Sequence, residues 1–422
     1  MNDRSSKGRR KVAAGHREDH RVAFAPALPA MIFMALSGCS SSSTGAAPTP
    51  GFSHDIVLSM ALTVPPAAEL HQCQLMTLPN SEDVEAISFS HQYTSGSHHF
   101  LVIATDLDVI PSDLQGQYDC TNGNEPIMAH ARAVIYGAQT PVGNFPLPAG
   151  VGVRMTAKQV VIMQTHYLNP SPDPIAAKVD FGVDTARVGA TQEEAGFMFF
   201  YDPFIYLPPQ STASSGLRCG VPDAVNVITA SSHYHQRGMG MKVWLDEPGG
   251  ESQTPFYETH DWEHPTNFQG PFALPAGSTV RFRCDYANTE TTEIFQGPNA
   301  KTSEMCVFGG LYYPKGSANF EQCQPISVLG LGASACGDLT GCYRACTPGS
   351  AADNAGDDLR QCREKCFVSG CPGATDALIG LLSCAGATCG TECAAVGATC
   401  DACLAAKCGS PLNACLTQTC SP

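Results

Sequence analysis

The chain carries twenty-one cysteines, and their number and placement limit its fold more than any other feature. A reducing compartment would not sustain so many thiols unless they held metal or clusters, so the count points to export and disulfide bonding. Cys39 stands alone, six cysteines lie from Cys73 to Cys323, and fourteen crowd the stretch from Cys336 to Cys420. Both later groups are even, as pairing requires. Within the last group, Cys342 and Cys346, Cys362 and Cys366, and Cys389 and Cys393 are each four apart. That spacing puts both sulfurs on one face of a helix. It predicts a helical, disulfide-stapled region over residues 329–422. This region contains no histidine and no Cys-x-x-Cys-His, which excludes c-type haem and favours structural bridges over metal binding.

The first residues fit export. Arg4, Lys7, Arg9, Arg10 and Lys11 precede an apolar run from Val22 to Leu36, which is short for a membrane span. Leu36-Ser37-Gly38-Cys39 and a serine run follow. The arrangement resembles a bacterial lipoprotein signal over residues 1–38, with cleavage before Cys39 and lipid on its thiol. Residues 39–53, rich in Ser, Thr, Ala, Pro and Gly, read as a flexible tether. The expected location is the cell envelope of a bacterium, anchored by lipid at the outer membrane or secreted. A formal charge of −15 argues against nucleic-acid binding, which uses a basic face.

Residues 54–328 show short β-rich runs broken by Pro, Gly and Asn, such as Asp55–Val64, Val160–Tyr167 and Val280–Tyr286. Long amphipathic helical patterns are absent there. The pattern predicts an all-β chain with two tandem jelly-roll-like sandwiches, residues 54–188 and 189–328. A weak repeat supports the division. Leu147-Pro148-Ala149-Gly150 and Leu274-Pro275-Ala276-Gly277 each precede a strand pattern, and each has a histidine pair upstream.

Those pairs carry the chemistry. His233 and His235 project to one face of a strand, ready for one metal ion. Adjacent His98 and His99 diverge on a regular strand and meet one ion only where a strand end or bulge turns the backbone. Exported, imidazole-rich sites suit zinc or copper. Met305, in Ser303-Glu304-Met305-Cys306, adds a thioether, a poor zinc ligand and a good Cu(I) ligand. His71, His91, His260 and His264 are read as surface or structural residues.

Four segments then give a specific resemblance: His98-His99-Phe100-Leu101, Thr165-His166-Tyr167-Leu168-Asn169-Pro170, His233-Tyr234-His235 and Glu304-Met305-Cys306. In order and rough spacing, residues 55 to 325 resemble the copper type II, ascorbate-dependent monooxygenases of the peptidylglycine α-hydroxylating and dopamine β-monooxygenase type. The resemblance implies two copper ions per chain. His98, His99 and His166 would bind an electron-transfer copper, and His233, His235 and Met305 an oxygen-activating copper. It implies two sandwiches facing a wet cleft, ascorbate as reductant, and insertion of one atom of O2 into a C–H bond of a small organic substrate. It also implies the bridges Cys73–Cys120, Cys219–Cys323 and Cys284–Cys306, one of fifteen pairings open to six cysteines.

Three positions depart from the peptide-hydroxylating pattern. Ser231 replaces an arginine, and Val307 and Gly309 replace an asparagine and a tyrosine. A substrate carboxylate loses its charge-assisted anchors there, which argues against a glycine-extended peptide. Two other functions use the same features: a non-catalytic copper-delivery lipoprotein, and a surface protein acting through its Cys-rich tail. Delivery needs only affinity, whereas a monooxygenase needs two unlike sites, and tail-driven adhesion would survive loss of the histidines.

Overall fold

The computed structural model describes residues 46–420, apart from 122–125, 317–319, 322, 324, 329–331, 347–354, 372 and 394–396. The proposed signal segment and Cys39 lie outside the described residues. Strands dominate up to Val328 and helices follow it.

The first sandwich packs two sheets. One joins Ile56–Val64, Ile175–Arg187, Val84–Tyr93, Val151–Met155 and Glu193–Glu194 in that order, with Val142–Pro146 added on Val84–Tyr93. The other runs Gln117–Asp119, Ala68–Thr77, Val160–Asn169, Ser97–Thr105, Ala131–Ala138. Between them lies a core that includes Phe89, Phe100, Tyr136, Met163 and Phe181. The outer face of the five-stranded sheet is also covered, by a second cluster containing Leu75, Ile103, Ile162 and the Cys73–Cys120 bridge. This is why Val160–Asn169 is buried along nearly its whole length rather than at alternate residues.

The second sandwich sets Gly196–Tyr201, Cys306–Tyr313, Val225–Tyr234 and Phe268–Leu274 against a five-stranded sheet. That sheet orders Tyr257–Thr259, Gly238–Asp246, Thr279–Asn288, Ser211–Gly220 and Pro325–Val328. Thr279–Asn288 alternates strictly: Val280, Phe282, Cys284 and Tyr286 point to the core, while Arg281, Arg283 and Asp285 face outward. Cys219 bonds Cys323, and Cys284 bonds Cys306.

The two sandwiches share more than the repeated tetrapeptide. Gly150 and Gly277 both end it at positive φ, 83° and 79°, where a side chain is strained. Asn169 closes its strand by donating Nδ2 to the carbonyls of Val64, Pro65 and Asp173. Asn288 does the same to Leu207, Pro208 and Thr292. The same corner, built twice, supports an internal duplication.

Among the described residues the tail holds five helices, Cys336–Ala345, Ala355–Val368, Ala374–Thr388, Ala398–Lys407 and Gly409–Thr417. Cys342 and Cys346 bond Cys366 and Cys362, a two-rung ladder along one pair of segments. Cys384, Cys389 and Cys393 bond Cys408, Cys403 and Cys400 in a second ladder, and two longer bridges, Cys336–Cys415 and Cys371–Cys420, tie the ends. The tail lies on the second sandwich through Phe204, whose ring is 4.7 Å from Phe367, and through Ile379. No helix among the described residues is long and apolar enough to cross a membrane.

His91 shows what a structural histidine looks like here. It is 1 % exposed, its Nδ1 pairs with the Tyr136 hydroxyl at 2.7 Å, and its Nε2 pairs with the Thr140 carbonyl at 2.7 Å. Burial brings its pKa from 6.5 down to about 4. The unfolded chain therefore takes up this proton first, and folded stability falls as pH drops from 6.5 towards 4. Urea unfolding at pH 7 and pH 5 should show that wild type loses about 2 kcal/mol more over this interval than His91→Phe does.

Candidate metal centre

Three adjacent strands of the first sandwich carry a row of histidines. In register, His71 on Ala68–Thr77 sits directly opposite His166 on Val160–Asn169, and His166 sits opposite His99 on Ser97–Thr105. Strand parity sends Phe100, Met163 and Tyr167 into the core and His71, His99 and His166 to the other face. A bulge then adds a fourth ring. Ser97 pairs with Tyr167 and His99 with His166, so His98 is an extra residue between them. That irregularity turns the His98 ring to the side of its neighbour, with centroids 5.6 Å apart.

The second sandwich supplies His233, near the end of Val225–Tyr234, and His235 just beyond it. The two sets meet. His98 lies 4.7 Å from His233 by ring centroids, and His99 lies 4.9 Å from His233. The donor nitrogens fall into two trios, each within 4.8 Å: His71, His99 and His166, and His98, His233 and His235. Thus His98, which the resemblance groups with His99 and His166, stands 5.3 Å from His166 but closer to His233. Met305 lines the cleft between the sandwiches, about 950 Å³ in volume, together with His71, His99 and His233.

Supporting groups set which nitrogen each ring presents. His166 Nε2 donates to Glu69 Oε1 at 2.9 Å, His233 Nδ1 to Gln139 Oε1 at 2.7 Å, and His235 Nδ1 to the Ser303 carbonyl at 3.0 Å. The opposite nitrogens, His166 Nδ1, His233 Nε2 and His235 Nε2, are shielded from water and lack hydrogen-bond partners. So are His71 Nε2, His98 Nε2 and His99 Nδ1. Orphaned buried acceptors on this scale are costly unless something absent from the chain satisfies them. Burial, reinforced by neighbouring imidazoles, holds His98, His99, His166 and His233 well below the usual histidine value, and burial brings His71 and His235 down to about 4. All six are therefore neutral near pH 7, the form that binds a metal.

The segment before Met305 is fixed from behind. Glu304 is fully buried and accepts the backbone N–H groups of His235 and Arg237, each at 2.9 Å. Arg237 in turn reaches Glu304, Glu290 and the Lys301 carbonyl. Burial pushes the Glu304 carboxyl up to about 7. On the other side of Met305, Cys306 is bonded to Cys284, and the Met305 carbonyl accepts from the Tyr286 hydroxyl at 2.7 Å.

Comparison with known proteins adds a family likeness for the second half of the chain. Residues 197–327 match the copper type II ascorbate-dependent monooxygenase, C-terminal domain. That stretch, which forms most of the second sandwich, is similar to the C-terminal domain of this monooxygenase family. DBH-like monooxygenase protein 1 of Homo sapiens is 23 % identical over 304 residues, covering 64 % of this chain and 48 % of the human protein. The Gallus gallus protein of the same name is 23 % identical, covering 62 % and 47 %. The chain thus spans about half the length of the curated relatives it matches. Among solved structures, the major capsid protein P2 of bacteriophage PM2 aligns with a TM-score of 0.26 at 11 % identity, over 61 % of this chain and all of that one. That score is too low to equate the two folds.

The family implies copper, and the residues fit it. Six neutral imidazoles with free nitrogens, and a thioether on the same cleft, form a donor set that accepts both copper oxidation states. Of the histidines read as surface or structural, His260 and His264 are exposed, and His91 is a hydrogen-bonded core residue. His71 is neither: it joins the cluster. Glu69 and Gln139 were not singled out in the sequence. Glu69 lies inside a strand-like run and Gln139 just past the end of one, and neither position reveals partners far along the chain. Arg237 is the most consequential support to remove. Arg237→Met leaves Glu304 buried beside the site without its cation, and denaturant unfolding should show a loss of about 3 kcal/mol.

Proposed function

We propose that this chain is an exported, copper-dependent monooxygenase that hydroxylates a C–H bond of a small organic substrate, with ascorbate as electron donor. One atom of O2 enters the substrate and the other leaves as water, with two electrons and two protons completing the balance. Copper, when bound, supplies the one-electron steps and oxygen activation that protein side chains cannot. The observation that carries this reading is the double trio of unpartnered imidazole nitrogens where two sandwiches meet beside an open cleft.

The chain's own groups divide the remaining work. His99 and His166 form the heart of one site, His233 and His235 the heart of the other, and Met305 offers the soft donor that favours Cu(I). Glu69, Gln139 and the Ser303 carbonyl hold three of the rings in the ligating tautomer. The cleft admits a substrate between Leu101, Val134, Phe197 and Phe199. Arg132 and Lys315 also line it, but Arg132 is paired with Asp106, and Lys315 with Glu194 and Glu321. With Ser231, Val307 and Gly309 at the positions noted above, this favours a substrate with an apolar body and no carboxylate anchor. The ten disulfides among the described residues fit an oxidising compartment, and we assign membrane attachment to lipid on Cys39.

Copper titration of the purified chain should saturate at two ions, and saturation at one would contradict a two-site enzyme. The copper-loaded protein should consume O2 with ascorbate when offered small amines or phenols, one of which should gain the mass of one oxygen atom, whereas acyl-glycines should be poor substrates. Met305→Ile should abolish that turnover while copper stays at His99 and His166; full activity in the variant would remove Met305 from the mechanism.

A further inference from the structure

We infer that His71 is a metal ligand, so that the first ion is held by His71, His99 and His166, and His98 serves the second ion with His233 and His235. The inference rests on the copper reading above and reassigns two residues within it.

Register makes the case first. His71, His166 and His99 are consecutive cross-strand partners on one face of three neighbouring strands. Such partners stand about 5 Å apart at Cβ, so the pairing register alone brings three imidazoles together in a row. The His71 and His166 rings stack with centroids 3.6 Å apart, and the donor atoms of the trio lie within 4.8 Å of one another. Small ring rotations suffice to reach the bonds of roughly 2 Å typical of imidazole–metal sites.

Chemistry makes it second. His71 is 2 % exposed, yet its Nε2 has no hydrogen-bond partner. Its nearest carboxylate oxygen, Glu69 Oε1, is 3.9 Å away and already accepts from His166 at 2.9 Å. His91, equally buried one sheet away, has both nitrogens satisfied. A ring kept only for packing would look like His91. His71 instead presents a bare nitrogen beside two others of its kind.

The bulge makes it third. As the extra residue between Ser97 and His99, His98 is released from the row and directed toward the other sandwich. Its free Nε2 groups with those of His233 and His235. Met305, on the wall of the same cleft, remains the thioether available to that second ion.

The test uses the full chain loaded with Cu(I), which is diamagnetic. Long-range proton–nitrogen NMR of the histidine-labelled wild type should show six imidazoles whose unprotonated nitrogen shifts on loading; five, with His71 unmoved, overturns the assignment without any variant. Variants then separate the ions. In a His233→Phe/His235→Phe background one ion should remain bound. Adding His71→Phe should weaken it at least tenfold, whereas adding His98→Phe should leave it unchanged. The reverse order of sensitivity overturns the assignment. A wild type that takes up two ions indifferent to His71 sinks this inference alone, while one that takes up none sinks the copper reading beneath it.

Discussion

Six imidazole nitrogens with lone pairs turned into a dry junction are the least comfortable feature of this molecule, and the rest of its architecture is arranged around them. Each such group costs stability when left unpaired, on the order of 1–3 kcal/mol. A chain does not gather six by accident of packing, because nothing apolar is gained by it. The cluster is held by groups that cannot easily yield: cross-strand register places three rings, a bulge places the fourth, and a carboxylate, an amide and a carbonyl fix the remaining nitrogens of three. The low pKa values follow from the same burial and keep every ring neutral at ordinary pH.

Support for the cluster is layered. Next to Met305, Glu304 takes two backbone N–H groups and an arginine, and a disulfide pins the following residue. Farther out, Arg360 of the tail donates to the backbone and side chain of Gln296. Gln296 is bridged to Glu304, so the Cys-rich helices touch the strip that leads to Met305.

Much of this was legible in the sequence, and the physical reason separates what was from what was not. Local periodicity carries information, so the alternation of Thr279–Asn288 and the four-residue cysteine spacings translated directly into a strand and into stapled helices. Val160–Asn169 was harder, since a strand covered on both faces loses its alternation. His71 was passed over because its meaning comes from a register partner on another strand, which no local window contains. The His98–His99 pair required a turned backbone for both rings to serve one cluster. The sequence demanded such a device but could not say that it would be a bulge, nor toward which partners it would send His98.

Glu69 joins these levels at a single atom. Its Oε1 accepts from His166 Nε2 at 2.9 Å and from the backbone N–H of Ala300, in the other sandwich, at 2.8 Å. The tautomer of the His166 ring and the approach of the two halves therefore share one acceptor. By thermodynamic reciprocity, whatever draws the halves together steadies the ring, and whatever occupies the ring draws the halves together in equal measure. An ion bound at His166 would thus be coupled, through Glu69, to how closely the halves approach.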